Sequence, residues 1–208
     1  MSQNSTPGNR KRRAILAGLA AILALAGVYG IIALQGNSSD ARAQDASGIS
    51  RDLAAGPMKR LIIKSTREDR SGLVLYDADG KAHKLGEWKG RVLLVNFWAT
   101  WCFPCRKEMP EIGALQKAFD KKDFLVIAAS EDRKGYQWAK EGINVLGGEN
   151  LTLMMDTGSK ALRAIGERGL PTTILIDRQG REFARLIGPA AWASEEAKAI
   201  IRAAIAEK

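Results

Sequence analysis

The hydrophobic pattern after residue 60 alternates between strand-like and helix-like segments. A short apolar run at residues 73–76 ends in a turn signal of Asp and Gly, which predicts a strand. Residues 91–98 and 124–129 are nearly continuous apolar runs, which is typical of central strands covered on both faces. Residues 109–119 and 136–145 place apolar side chains at helical spacing. From residue 91 the pattern therefore runs strand, helix, strand, helix.

The last part of the chain predicts a helix, a β-hairpin and a final helix. Residues 161–165 suit a short helix, and residues 172–177 and 182–187 flank a turn-forming stretch that predicts an antiparallel hairpin. Ser194 is a favourable N-cap for the amphipathic helix that follows it. We therefore predict an α/β domain over residues 61–208, with a central mixed sheet, parallel at first, and helices on both faces.

The N-terminal segment has the pattern of a membrane anchor. Residues 14–34 contain no charged residue, and a helix of that length spans ~31 Å, which matches the hydrocarbon core of a bilayer. Residues 10–13 are all basic, so residues 1–13 are predicted to stay in the cytoplasm while everything after the span is exported. A signal peptide cleaved after Ala43 is the competing interpretation, and it also exports the domain.

Residues 35–60 are predicted to tether the anchor to the domain. They are rich in Gly, Ser, Asn, Asp and Gln, and Gly56 and Pro57 stand near their end, which is typical of a linker. A short helix over residues 47–55 is the single element predicted within this tether.

Charge and cysteine content narrow the functional classes. The chain has 208 residues and a net charge of +9, with four of the positive charges clustered at residues 10–13. No basic run is interleaved with aromatic residues, so nucleic acid is not an expected partner. Cys102 and Cys105 are the two cysteines, so no disulfide framework staples the fold. With His83 as the single histidine, a closed four-ligand zinc site within one chain is not expected.

Cys102 and Cys105 are two residues apart and lie between a predicted buried strand and a predicted helix. This spacing lets the two sulfurs reach disulfide distance, and a helix N-terminus stabilises a thiolate on the first cysteine. Pro104 suits the first helical turn, where no backbone donor is needed. We therefore predict that Cys102 attacks a disulfide of a partner protein and that Cys105 resolves the mixed disulfide.

Three stretches of the sequence resemble a known family. Val95–Cys105, with the sequence Val-Asn-Phe-Trp-Ala-Thr-Trp-Cys-Phe-Pro-Cys, resembles the active-site signature of thioredoxin-like proteins. Arg106–Pro110 and Gly188–Glu196 are similar to the TlpA/ResA/CcmG branch of membrane-tethered reductases that face the periplasm. The resemblance covers residues 60–208 and implies a thioredoxin-like fold for them.

The resemblance also implies a function. It indicates a reductase that keeps exported cysteines reduced, for copper-centre assembly of cytochrome oxidase or for cytochrome c maturation. The expected partners are disulfide-containing exported proteins and a membrane electron donor, and no cofactor or metal is expected. The domain is expected to be a periplasmic monomer, held at the inner membrane by the single anchor.

Two other functions use the same cysteines. A copper-carrying protein without turnover would bind Cu(I) through the dithiol, because soft thiolates suit that ion. A peroxidase of the same superfamily is disfavoured, because its reactive cysteine lies in a Thr-x-x-Cys setting and Cys102 replaces that threonine.

Further residues take roles from the resemblance. Pro171 matches the cis-proline of the family, which faces the cysteine pair and holds the partner chain by backbone pairing. Trp98 and Trp101 match aromatic residues around the active site, although for Trp98 we favour core packing.

Asn96 and Glu108 mark a departure from ordinary thioredoxins. Those proteins carry a buried aspartate where this chain has Asn96, and an amide does not serve as a proton acceptor. The branch has an acid after the motif instead, where this chain has Glu108, three residues beyond Cys105 on the same helix face. Glu108 is then either the proton acceptor for Cys105 or a solvated carboxylate near a helix N-terminus.

Overall fold

A mixed sheet of eight strands organises residues 49–207, which are the residues described by this computed structural model. The four α-helices of this part of the chain are α1 (Phe103–Lys117), α2 (Tyr136–Val145), α3 (Lys160–Ala164) and α4 (Glu195–Ala206). The strands are β1 (Ile62–Asp69), β2 (Val74–Tyr76), β3 (Ala82–Lys84), β4 (Val92–Trp98), β5 (Phe124–Ser130), β6 (Thr152–Met155), β7 (Thr172–Ile176) and β8 (Arg181–Ile187).

The sheet has the strand order β1-β8-β7-β4-β5-β6-β2-β3. β4, β5 and β6 are parallel, whereas β7 is antiparallel to β4 and β8 closes the hairpin with β7. The predicted thioredoxin-like α/β fold, parallel at first and finished by an antiparallel hairpin, is therefore confirmed. Because β4 and β7 are neighbours that run in opposite directions, the C-terminal end of β4 lies beside the N-terminal end of β7.

Side chains alternate along β4 between two packed faces, and all seven of its residues are buried. Leu94 and Trp98 belong to a core that also contains residues of α1, α2 and α4. Phe97 belongs to a second core, which contains residues of α3. Burying one such side chain stabilises the fold by about 1.5–3 kcal/mol, so the two cores fix the position of β4 and of the loop that follows it.

Residues 49–60 differ from the loose tether that the sequence predicts. Ile49 and Met58 are buried in the main core, and two short 3-10 turns cover Arg51–Leu53 and Gly56–Met58. Of the helix predicted over residues 47–55, the part from residue 49 onward contains one 3-10 turn, Arg51–Leu53. Because the side chains of Ile49 and Met58 are removed from water, residues 49–60 belong to the folded domain.

The predicted membrane helix at residues 14–34 lies outside the residues that the structure describes. Within residues 49–207, no helix has both the length and the apolar character needed to cross a membrane.

Candidate active site

Cys102 and Cys105 lie at the start of α1, which follows β4 after a short loop. Cys102 is the N-cap of α1, and its sulfur accepts a hydrogen bond from the backbone N–H of Cys105 over 3.3 Å. The two cysteines form a disulfide with a Cα–Cα distance of 5.3 Å, within the usual range for such a bond. Cys102 keeps 5% of its surface exposed and Cys105 keeps none. Cys102 is therefore the more accessible of the two cysteines.

The aromatic and proline neighbours of the pair have distinct positions. Trp101 is 67% exposed on the loop directly before Cys102. Pro104 is in the first turn of α1, as its missing backbone donor allows. Trp98 is fully buried in the main core, in agreement with its predicted packing role.

Glu108 is buried beneath the first turns of α1 and is only 2% exposed. Its Oε1 accepts a hydrogen bond from Asn96 Nδ2 over 2.9 Å. Its Oε2 accepts hydrogen bonds from the backbone N–H of Ala190 and from Trp192 Nε1, each over 3.2 Å. The interpretation of Glu108 as a solvated surface carboxylate is therefore wrong, because the side chain is buried among donors from two segments of the chain, β4 and the segment before α4.

Burial raises the pKa of Glu108 from 4.5 to about 7. Removal from water disfavours the charged carboxylate, and the hydrogen bonds from Asn96, Ala190 and Trp192 offset only part of that cost. A carboxyl group with a pKa near 7 exchanges its proton readily at neutral pH. Glu108 thus has the protonation behaviour that a proton acceptor for a nearby thiol needs.

The side-chain amide of Asn96 holds the carboxyl group of Glu108 through a hydrogen bond. It is fully buried on β4, opposite Thr173 of β7, and its Nδ2 also donates to Thr173 Oγ1 over 2.9 Å. One amide therefore connects β4, α1 and β7. At this position the chain therefore has an amide that donates a hydrogen bond to the carboxyl group of Glu108.

Pro171 lies at the same end of the central strands as the loop that carries the cysteines. The Leu170–Pro171 peptide bond is cis, as the resemblance implies. Pro171 directly precedes β7, whose Thr172 pairs with Phe97 near the end of β4. The backbone around Pro171 is thus placed beside the loop that carries Cys102.

Sequence reasoning missed three groups of this site, namely Thr173, Ala190 and Trp192. They lie more than 60 residues from Asn96 and Glu108 along the chain, and only the fold brings them together. The Gly188–Glu196 stretch carried part of the resemblance, but its composition does not show that Trp192 donates to a buried acid. Across residues 49–207, no three His, Cys, Asp or Glu side chains are grouped so as to hold a metal ion.

A thioredoxin-like sheet with a Cys-x-x-Cys disulfide at a helix N-terminus defines a thiol-disulfide oxidoreductase. Residues 42–201 match the Redoxin family, and the chain belongs to that family.

Known relatives support the same class. The chain is 33% identical over 121 residues to the thiol-disulfide oxidoreductase ResA of Bacillus thuringiensis (strain Al Hakam), which is 58% of this chain and 69% of ResA. It is 32% identical over 117 residues to ResA of Bacillus subtilis (strain 168), covering 56% of this chain and 64% of that relative. The resemblance to the TlpA/ResA/CcmG branch is therefore confirmed.

A solved structure shows the same architecture. A putative thiol:disulfide interchange protein DsbE from Chlorobium tepidum superposes with a TM-score of 0.58 at 28% identity. The match covers 67% of this chain and 98% of that one, so nearly the whole neighbouring domain has its counterpart here.

Proposed function

We propose that this protein reduces disulfides of exported proteins by dithiol–disulfide exchange, from a membrane-anchored position in the periplasm. The observation that carries the proposal is the Cys102–Cys105 disulfide at the N-terminus of α1, with the buried Glu108 one turn further on. The clients are proteins whose cysteines must stay reduced for copper-centre assembly of cytochrome oxidase or for cytochrome c maturation.

The first step joins the protein to its client. In the reduced protein, the thiolate of Cys102 is stabilised by the N-terminus of α1 and attacks one sulfur of the client disulfide. A bond forms between Cys102 and that sulfur, the client S–S bond breaks, and the second client sulfur leaves as a thiolate that takes up a proton. Exposed Trp101 and the backbone at Pro171 hold the client chain during this step.

The second step releases the client. Glu108 accepts the proton of Cys105, whose thiolate then attacks Cys102. The Cys102–Cys105 disulfide forms and the first client sulfur leaves as a thiolate, so the client has gained two electrons and the protein has lost two. An exported or membrane-bound dithiol must restore the reduced protein.

Trapping of the mixed disulfide tests this order of events. Reduced Cys105→Ser should accumulate a covalent complex with a disulfide protein such as insulin, because the resolving thiol is missing. Cys102→Ser should form no such complex and should lose turnover. Retention of turnover by Cys102→Ser would contradict the assignment. Turnover in the presence of a copper chelator separates this function from that of a copper carrier.

A further inference from the structure

Exposed apolar side chains are concentrated on one side of the reactive disulfide. Within residues 49–207, six large apolar side chains are exposed, and Trp101, Phe103, Trp138 and Val145 are four of them. Trp101 and Trp138 line a common cleft of about 490 Å³. A second cleft, here called the tryptophan groove, has a volume of about 270 Å³ and is lined by Thr100, Arg106, Trp138, Gly142, Val145 and Leu146.

Trp138 is held in place although it is 44% exposed. Its Nε1 donates a hydrogen bond to Thr100 Oγ1 over 2.9 Å. Thr100 in turn donates to buried Asp132 through its hydroxyl over 2.7 Å and through its backbone N–H over 3.0 Å. A fixed, exposed tryptophan loses little rotamer freedom on binding, which is the property of an interface anchor.

Gly142 allows α2 to approach the loop before Cys102. A Cβ atom at this position would lie 2.4 Å from Thr100 Cγ2, closer than any side chain tolerates. The floor of the tryptophan groove is therefore formed by direct contact between α2 and Thr100, two residues before the reactive cysteine. Whatever occupies the groove lies beside the disulfide.

Positive charge surrounds the apolar surface. Lys134 Nζ lies 4.0 Å from the centroid of the Trp138 ring, and Lys107 Nζ lies 4.5 Å from that of Phe103. Arg106 and Arg133 are exposed on the same side, and none of these four bases forms an ion pair with an acid of residues 49–207. Glu141 is the one acidic residue that lines the groove itself, whereas the buried Glu131 and Asp132 line the adjoining cleft.

We propose that the tryptophan groove docks the client protein, by seating one bulky apolar side chain that is flanked by acidic residues and lies near the client disulfide. This proposal rests on the proposed function. The groove is smaller than the about 300–1,000 Å³ of small-molecule sites, so it suits a single side chain. A second copy of this chain is not the occupant, because the positively charged Lys and Arg side chains around the two grooves would then face and repel each other.

The test uses the reduced full-length chain and a panel of synthetic peptides, each closed by one disulfide. One series moves a single Leu flanked by Asp through the positions around the cysteines. Matched series replace Leu by Ala, or Asp by Lys. The second-order rate constant for each peptide is divided by that for bis(2-hydroxyethyl) disulfide, a small uncharged disulfide that has neither an apolar ring nor an acidic group.

At one peptide position, the Leu and Asp peptide should react about tenfold faster than its Ala counterpart, and the Lys peptide should be slower. Trp138→Ala should remove this preference. Val145→Asp changes a side chain that is 87% exposed, so it leaves folding intact, and it should weaken the preference by repelling acidic flanks. Ile62→Ala, at an exposed apolar position on β1 outside the groove, should keep it.

Other results would overturn the docking role. Absence of any preference in the natural protein would do so while leaving its activity on the small disulfide, and hence the proposed function, intact. An equal slowing of the small disulfide by Trp138→Ala would show that Trp138 supports the reactive loop instead. A dimer abolished by Trp138→Ala would identify a second copy as the occupant. Failure of the natural protein to reduce either kind of disulfide would remove the proposed function itself.

Discussion

Glu108 combines deep burial with hydrogen bonds to both of its carboxyl oxygens, from Asn96 on one side and from Ala190 and Trp192 on the other. The donors favour the carboxylate and burial favours the acid, and burial is the larger effect. The side chain is consequently poised to change protonation near neutral pH, one turn beyond Cys105.

Glu108→Gln should lower the pH midpoint for alkylation of the reduced cysteine pair. A carboxylate near Cys105 disfavours a second negative charge, and the amide removes that repulsion while keeping the shape. The rate of alkylation against pH measures the midpoint of the coupled pair. A shift below about 0.3 unit, or ~0.4 kcal/mol, would mean that Glu108 has no influence on the thiols. Glu149→Gln, at an exposed position in the segment before β6, is the matched control.

The stability of the oxidised protein should depend on pH through Glu108. Its pKa is about 7 in the folded chain and 4.5 as a free side chain, so the folded state binds the proton more tightly. This contribution to stability is fully present below pH 4.5 and is lost as the pH rises through 7. Relative to Glu108→Gln, the natural protein should lose about 3 kcal/mol of unfolding free energy between pH 4.5 and pH 8.

Denaturant unfolding at several pH values measures this difference. Burial also raises the pKa of Glu131, to about 8, so the comparison with Glu108→Gln is needed to isolate one group. An equal pH dependence in the natural protein and in the variant would contradict the raised pKa of Glu108.

At the scale of elements, β4 and β1 show what the sequence can and cannot predict. β4 is a continuous apolar run because both of its faces are covered, and it was predicted within one residue. β1 is an edge strand dominated by polar residues and was missed. Its side chains are held by ion pairs such as Arg67–Asp177, which join residues distant in sequence and leave no local periodicity.

The candidate site also contains residues that the sequence predicts and residues that only the fold brings together. Cys102, Cys105 and Glu108 lie within seven residues of one another, so motif spacing and helical geometry were enough to associate them. The partners Thr173 and Trp192 are brought in by β7 and by the segment before α4. Long-range pairing of this kind depends on the sheet order, which no local pattern specifies.

Packing between α1 and the segment after α2 gives a prediction at this scale. A Cβ atom at Gly113 would lie 2.3 Å from the carbonyl oxygen of Gly147, a backbone atom that does not move aside easily. Gly113→Ala should therefore destabilise the protein by about 1–3 kcal/mol, although alanine is the better helix former.

Denaturant midpoints measure this effect. Gly72→Ala is the control, because a Cβ atom there meets no other atom within 4 Å. A Gly113→Ala variant that is as stable as the control variant, or more stable, would show that the two segments are not in close contact.

At the scale of the whole molecule, we predict that residues 14–34 anchor the chain in the membrane and that the redox domain lies outside the cytoplasm. A C-terminal reporter that is active only after export should be active when fused to the full chain, and inactive on residues 49–208 alone. The full chain should also remain with membranes after a salt wash. A soluble exported product that begins at Gln44 would show cleavage of the N-terminal segment instead.

The direction of electron flow decides whether the protein is the reductase that we propose. Equilibration of the Cys102–Cys105 pair with defined thiol–disulfide buffers, followed by alkylation, gives its reduction potential. We predict a value below about −200 mV, toward the roughly −270 mV of thioredoxin, since such a dithiol gives electrons to its clients. A value above that limit, toward the roughly −120 mV of a strong dithiol oxidant, would contradict a reducing function.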